Sequence, residues 1–194
     1  MLAQYVSQGL KFFFLFTPFF AVSMFLAMTS ERNDHERRNL ACRVAVATVV
    51  ISVLLLFFGR SIFSVFGITI DAFRIGAGLL LFQTALSLMN PKEIAPAGGE
   101  DISVVPLAMP VIVGPASCGA LMVEGASLQG VKERIVALAA LLTALFAVWI
   151  ILLSAAFIER KLGQRGISIL MRLTALILAA LSAQMVMTGI CGFL

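Results

Sequence analysis

Proline and glycine interrupt two long apolar stretches of the chain. The first interruption is Thr17-Pro18, and the second is a run with three prolines in ten residues that ends at Gly114-Pro115. Proline lacks a backbone N–H and collides with the carbonyl four residues earlier, so it breaks a helix. In an apolar medium the freed backbone groups need partners from protein or from a watery cavity. The N-terminus of a broken helix carries partial positive charge and attracts carboxylates. We therefore predict a binding site for a small polar ligand at these interruptions.

The candidate ligand contacts lie at or near the two interruptions, where hydroxyls, a thiol and exposed backbone amides are available. They are Thr17, Pro18, Ser23, Pro110, Gly114, Pro115, Ser117 and Cys118. Gln83 and Gln184 are mid-span amides, which either hydrogen-bond between helices or line a pathway. The alternative for the whole set stays open, because proline and glycine are also common in membrane helices as simple kinks and packing points.

The elements that would position these residues are membrane-spanning helices. The chain is 61% hydrophobic and 12% charged, against about 45–50% and about 25% in soluble domains. About 20 apolar residues cross a bilayer as a helix. The apolar stretches cover residues 6–28, 41–59, 72–89, 103–123, 135–157 and 168–190. We predict an all-α integral membrane protein with six transmembrane helices in the lipid bilayer.

The positive charges predict the orientation of the chain. The first, third and fifth connectors, with the adjoining helix ends, contain nine of the 14 Lys and Arg residues. Under the positive-inside rule these connectors face the cytoplasm. Both termini are then outside, in a multi-pass protein of the bacterial inner (cytoplasmic) membrane.

The two halves of the sequence resemble one another. Thr17-Pro18 lies 97 residues before Gly114-Pro115, and His35-Glu36-Arg37 lies 97 residues before Lys132-Glu133-Arg134. The repeats predicted are residues 1–90 and 102–194, with a central loop at 91–101. Because each repeat has three spans, the second is inverted relative to the first. Inverted repeats with a binding site at their interface are typical of secondary transporters.

Charged residues inside the spans are few. Asp71 and Arg74, three residues apart on one helical face, predict an ion pair near the outer boundary. Glu124 is predicted to anchor a helix end at the interface, with proton coupling as the alternative. His35, the one histidine, falls in a charged loop, so no Ser-His pair is available at membrane depth. We predict no enzymatic activity, no metal, no cofactor and no nucleic-acid partner.

Several motifs resemble the MarC family of bacterial integral membrane proteins, which includes the SnatA-type small neutral amino acid transporters. The motifs are Val105-Pro106-Leu107-Ala108-Met109-Pro110 with Gly114-Pro115, the run from Phe66 to Gly78, and the segment from Arg172 to Ile190. The resemblance implies six spans, external termini and transport of small neutral amino acids such as glycine and alanine. The first span departs from the family's Asp/Asn-Pro-x-Gly-x-x-Pro pattern, since it reads Thr17-Pro18-Phe19-Phe20-Ala21-Val22-Ser23.

The sequence therefore favours a secondary transporter or exporter of small neutral amino acids or similar small metabolites, which works by alternating access. It leaves open a coupling ion, H+ or Na+, and a homo-oligomer. The alternative is a non-transporting membrane protein that acts as an assembly or regulatory partner. That alternative expects continuous first and fourth spans with no cavity between them.

Overall fold

The protein is helical throughout the part that the structure describes. The computed structural model describes residues 2–30, 32–89, 112–128 and 130–193, and these contain helices and turns but no strand. The helices are α1 (Leu2–Leu15), α2 (Pro18–Met28), α3 (Asp34–Phe66), α4 (Ile70–Met89), α5 (Pro115–Ser127), α6 (Val131–Leu153) and α7 (Ala155–Phe193). The predicted all-α class is confirmed.

Five of the six predicted spans correspond to helical segments that are long and apolar enough to cross a membrane. They are α1 and α2 taken together as one segment, and the single helices α3, α4, α6 and α7. Of the predicted fourth span, residues 112–123 are described, and most of them lie in α5. The predicted central loop, 91–101, lies outside the described residues, so the domain boundaries stay a prediction.

Helix α3 is longer than the apolar pattern indicated. The predicted span covered 41–59, whereas the helix has 33 residues, Asp34–Phe66. Its first turn contains Asp34 and Glu36, whose negative charge stabilises a helix N-terminus. Apolar patterning detects the part of a helix that lies in lipid, and α3 continues beyond it at both ends. Gly67, at φ 64°, ends the helix in the left-handed conformation.

The fifth span also extends beyond the bounds of α6. Helical hydrogen bonds cross the junction with α7, from Ser154 N–H to the Ile150 carbonyl and from Ile158 N–H to the Ser154 carbonyl. The chain turns instead at Gly163, where φ is 65° and ψ is 174°. The fifth span therefore ends near Gly163, and the rest of α7 forms the sixth.

Small residues let the helices approach closely. Helices α4 and α7 pack most extensively, and a Cβ added to Gly78 would lie 2.7 Å from Cγ2 of Val186. The Ser182 hydroxyl donates to the Gly78 carbonyl at 2.8 Å in the same interface. Helix α5 packs on α3, where a Cβ on Gly59 would lie 2.7 Å from Cα of Met122. Small residues at such contacts are the usual basis of helix association in membranes.

Candidate functional site

The first span is broken at Phe16 and Thr17, between α1 and α2. Thr17 has φ 46° and ψ 57°, a left-handed conformation that is rare for a β-branched residue. Pro18 is the first residue of α2, which has 11 residues and is therefore about 16 Å long. Because the hydrocarbon core is about 30 Å thick, the break lies near mid-depth. The interruption predicted at Thr17-Pro18 is present.

The described part of the fourth span, residues 112–123, has a non-helical break at the corresponding place. Gly114 is extended, with φ −72° and ψ 173°, and Pro115 begins α5. The 13 residues of α5 span about 20 Å, which again places the break near mid-depth. The N–H of Cys118 bonds to the Gly114 carbonyl at 2.9 Å and so closes the first turn.

The two breaks touch. The hydroxyl of Ser117, in the first turn of α5, donates to the carbonyl of Leu15 at 2.9 Å. Leu15 is the last residue of α1, so its carbonyl has lost the amide partner that a continuous helix would provide. The bond is buried, and it satisfies an acceptor that lipid could not satisfy.

The other predicted contacts are more dispersed. Thr17 and Pro18 are buried, whereas Ser23 is half-buried further along α2. Cys118 is half-buried, and its thiol lies 3.6 Å from the Val113 carbonyl. Pro110 is outside the described residues. Thr17 and Ser117 therefore come together at the breaks, whereas Ser23 lies away from them.

The two predicted pathway amides lie in different places. Gln184 is exposed on α7 and lines a cavity between helices. Gln83 is exposed on α4 and shares an apolar groove with Pro115. Gln184 therefore lines the cavity that reaches Leu15, whereas Gln83 lies in a separate groove beside Pro115 and Gly119.

That cavity has a volume of about 220 Å³ and lies between α1, α4, α5 and α7. It extends to Leu15, the residue that accepts the Ser117 bond, and its rim includes exposed Ser127 and Thr188 near helix ends. Its lining comprises Lys11, Phe12, Leu15, Arg74, Leu81, Ala120, Val123, Glu124, Ser127, Leu181, Gln184, Met185 and Thr188. The cavity therefore connects the buried breaks with one surface of the bundle.

Three charged side chains line the cavity. Nη1 of Arg74 pairs with Oδ1 of Asp71 at 2.8 Å, and Nη2 donates to the Ser127 hydroxyl at 2.7 Å. Glu124 accepts a hydrogen bond from Nε2 of Gln8 at 3.3 Å. Lys11 lines the same cavity without an ion pair to any described residue. The wall thus presents an ammonium group and a carboxylate that do not neutralise each other directly.

The predicted Asp71–Arg74 pair is present, but sequence reasoning did not place Lys11, Arg74 and Glu124 around one cavity. The available signal was the presence of charge inside or beside apolar spans, which is costly in lipid and usually marks a protein-lined interior. What the sequence lacked was the tertiary arrangement of α1, α4 and α5 around the cavity, which brings these three residues together.

The fold and this site define a class. The chain is a multi-pass helical membrane protein whose first and fourth spans are interrupted beside a polar cavity. Residues 2–194 match the family described as MarC family integral membrane protein, and the chain belongs to this family.

Relatives from distant organisms have similar lengths. The chain is 34% identical over 191 residues to the UPF0056 membrane protein MJ1677 of Methanocaldococcus jannaschii, which covers 94% of this chain and 93% of the relative. It is 31% identical over 192 residues to the UPF0056 membrane protein YhcE of Escherichia coli K12, with 93% and 88% covered. The UPF0056 membrane protein YvbG of Bacillus subtilis is 29% identical over 203 residues, with 99% and 96% covered. No solved structure matches the chain significantly.

Proposed function

We propose that this protein is a secondary transporter or exporter of small neutral amino acids or similar small metabolites. Its two termini would face away from the cytoplasm, as the distribution of positive charge predicts. The observation that carries the proposal is the polar cavity that extends from one surface to the contact between two broken spans. Interrupted helices at corresponding positions of two halves are the usual setting of a transporter's substrate site.

We also propose that the two halves form an inverted repeat, and two kinds of landmark support it. The first and fourth spans both restart at a proline in the first helical position, Pro18 and Pro115. The second and fifth spans both end at a glycine with positive φ, Gly67 and Gly163. The spans that follow, α4 and the last part of α7, then pack on each other. The cavity between α1, α4, α5 and α7 would lie at the interface of the repeats.

Alternating access needs a part that stays fixed. Helices α4 and α7 belong to opposite halves, yet they are joined by close packing at Gly78 and by the buried Ser182 hydrogen bond. Separating them would leave the helices with poorly matched surfaces. We infer that α4 and α7 stay together as a pivot, while the interrupted spans move around it.

The contact between the interruptions is the natural gate of such a mechanism. The Leu15–Ser117 bond closes the inner end of the cavity, next to the buried start of α2 at Pro18. Opening towards the cytoplasm would break that bond and expose the amides at the start of α2 and α5. A polar substrate supplies replacement partners, so these amides bind it at the moment of opening.

The alternative, a non-transporting assembly or regulatory partner, expects unbroken first and fourth spans. The breaks at Thr17 and Gly114 and the cavity beside them favour transport. A protein that served only as a scaffold would gain nothing from a buried left-handed threonine, a conformation that costs free energy.

The test is amino acid exchange by purified protein in liposomes. Wild-type protein should exchange external labelled alanine for internal alanine. Ala120, which lines the cavity, becomes Phe in the test variant, and Ala180, which is exposed on α7, becomes Phe in the matched control. Ala120→Phe should reduce the exchange rate at least about tenfold by filling the cavity, whereas Ala180→Phe should retain it. Absence of exchange by the wild-type protein with every small neutral amino acid would refute the proposal.

A further inference from the structure

The cavity contains two opposite charges that the fold leaves available for a ligand. We infer that Lys11 and Glu124 are the two poles of a zwitterion-binding site. The Lys11 ammonium group would bind the ligand's carboxylate, and the Glu124 carboxylate would bind its ammonium group. This inference rests on the proposed function, and it assigns specificity to residues that neither the motifs nor the interruptions indicate.

The other charges near the cavity already have partners. Arg74 is held by Asp71 and by the hydroxyl of Ser127. Lys11 is therefore the cation of the cavity wall that is available to an incoming carboxylate. It comes from the first half of the chain and Glu124 from the second, so a ligand bound to both would connect the two halves.

Gln8 positions the carboxylate of Glu124. The Gln8 side chain is only 6% exposed, and its Nε2 donates to Oε1 of Glu124 at 3.3 Å. Its own Oε1 is buried and has no hydrogen-bond partner among the described residues. An unpaired buried oxygen is unfavourable, and such exceptions call for a functional explanation. Here the Gln8 amide nitrogen holds Glu124 at the cavity wall, and this orientation leaves the Gln8 amide oxygen without a partner among the described residues.

The remaining lining fits a small neutral side chain. About 220 Å³ accommodates a ligand of several heavy atoms. Leu81, Leu181 and Met185 provide apolar surface in the same cavity. A charged ligand side chain would find no further unpaired partner among the charges that line this cavity. The site therefore matches a molecule with one carboxylate, one ammonium group and a short apolar substituent.

Two analogues of alanine test the roles of Lys11 and Glu124 separately. Lactate lacks the ammonium group of alanine, and alaninamide lacks its carboxylate. Wild-type protein should prefer alanine over each analogue at least about tenfold in competition for alanine exchange, since each lost contact involves a charged group. Lys11→Gln should lose the preference over alaninamide but keep the preference over lactate. Glu124→Gln should show the opposite pattern.

Matched controls and a positioning variant complete the design. Lys132 and Glu36 are exposed at the starts of α6 and α3, so Lys132→Gln and Glu36→Gln should keep both preferences. Gln8→Leu should reduce the preference over lactate without changing the preference over alaninamide. A purely structural role for Gln8 would instead lower the rate for all ligands equally.

The outcomes distinguish this inference from the proposed function. If wild-type protein exchanges alanine and both Lys11→Gln and Glu124→Gln retain wild-type preferences, the two poles are wrongly assigned although transport stands. If no exchange occurs, binding is tested by the melting temperature of the protein in detergent, measured with and without about 10 mM alanine. A shift that Glu124→Gln abolishes and Glu36→Gln retains supports the site without transport, and the absence of any shift overturns both proposals.

Discussion

The hydrogen bond between the two interruptions makes a quantitative prediction about stability. Ser117→Ala removes the hydroxyl that donates to the Leu15 carbonyl at 2.9 Å. This carbonyl ends α1 and lies beside a break, so no helical amide replaces the lost donor. Ser117 is 7% exposed and Leu15, at the inner end of the cavity, is 5% exposed, so water has little access to this carbonyl. The variant therefore leaves a buried acceptor unpaired.

The expected cost follows from that unpaired acceptor. A buried polar group without a partner costs about 1–3 kcal/mol, more than the net value of a typical hydrogen bond. The unfolding equilibrium constant should accordingly rise about 5- to 150-fold. Because the same bond closes the inner end of the cavity, Ser117→Ala should also make the closed arrangement less favoured during transport.

Ser182→Ala is the matched control. Its hydroxyl also donates to a backbone carbonyl of another helix, that of Gly78, at 2.8 Å. Gly78 lies inside α4, where the carbonyl also accepts the regular helical bond from the amide four residues later. The loss of Ser182 should cost only about 0.6 kcal/mol, the average for hydrogen bonds between membrane helices.

The assay is unfolding of both variants in mixed micelles by titration with sodium dodecyl sulfate. Trp149, the one tryptophan of the sequence, gives the fluorescence signal, with circular dichroism as a second probe. Ser117→Ala should lose more stability than Ser182→Ala. Equal losses, or a greater loss for Ser182→Ala, would show that the Leu15 carbonyl is satisfied in another way and would refute the reasoning about the breaks.

Three further predictions concern the backbone, the packing and the orientation. Thr17→Asn should stabilise the protein by about 1 kcal/mol in the same titration, because asparagine adopts the left-handed conformation at lower cost than threonine; a loss of stability would contradict this. Gly125→Ala should destabilise the protein by about 1–3 kcal/mol, because its Cβ would collide with the Leu56 carbonyl. Gly76 has nothing within 4 Å of an added Cβ, so Gly76→Ala should stabilise the protein by up to about 1 kcal/mol. A similar effect of both variants on stability would contradict the packing. An impermeant maleimide applied to intact cells should label exposed Cys191 when the other two cysteines are serine, and labelling only after lysis would place the C-terminus inside.

Much of the architecture could be predicted from the pattern of apolar residues, because the lipid around a membrane protein imposes that pattern on each helix. Apolar length identified the helices, since a lipid environment requires about 20 such residues per span. The break at Thr17 could be predicted because proline acts on its own chain through lost N–H and steric collision. The end of the fifth span was predicted less accurately, because the apolar pattern stops at residue 157 whereas the helix continues to the turn at Gly163. A helix of this length has polar ends outside the lipid, and hydropathy does not detect them.

The cavity was harder to predict because its charges are far apart in sequence. Lys11 and Glu124 each look like a residue that anchors the end of a helix. They line one cavity only because side chains of α1 and α5 meet, at Gln8–Glu124 and at the contact between two interruptions that are 97 residues apart in sequence. Sequence patterns within one helix give no access to such a contact.

The first span lacks the acidic or amide residue, the glycine and the second proline of the pattern that the resemblance implies, yet it is broken at Thr17. Pro18 prevents a regular helix, but a single proline in a membrane helix often produces only a kink. Here Thr17 is in the left-handed conformation. The Ser117 hydroxyl donates to the Leu15 carbonyl, which the break leaves without a helical amide partner. We infer that this tertiary contact supports the break in this chain, and that asparagine at position 17 would support the same conformation locally. If so, Ser117→Ala and Thr17→Asn should compensate each other, and the double variant should be more stable than the sum of the single effects predicts.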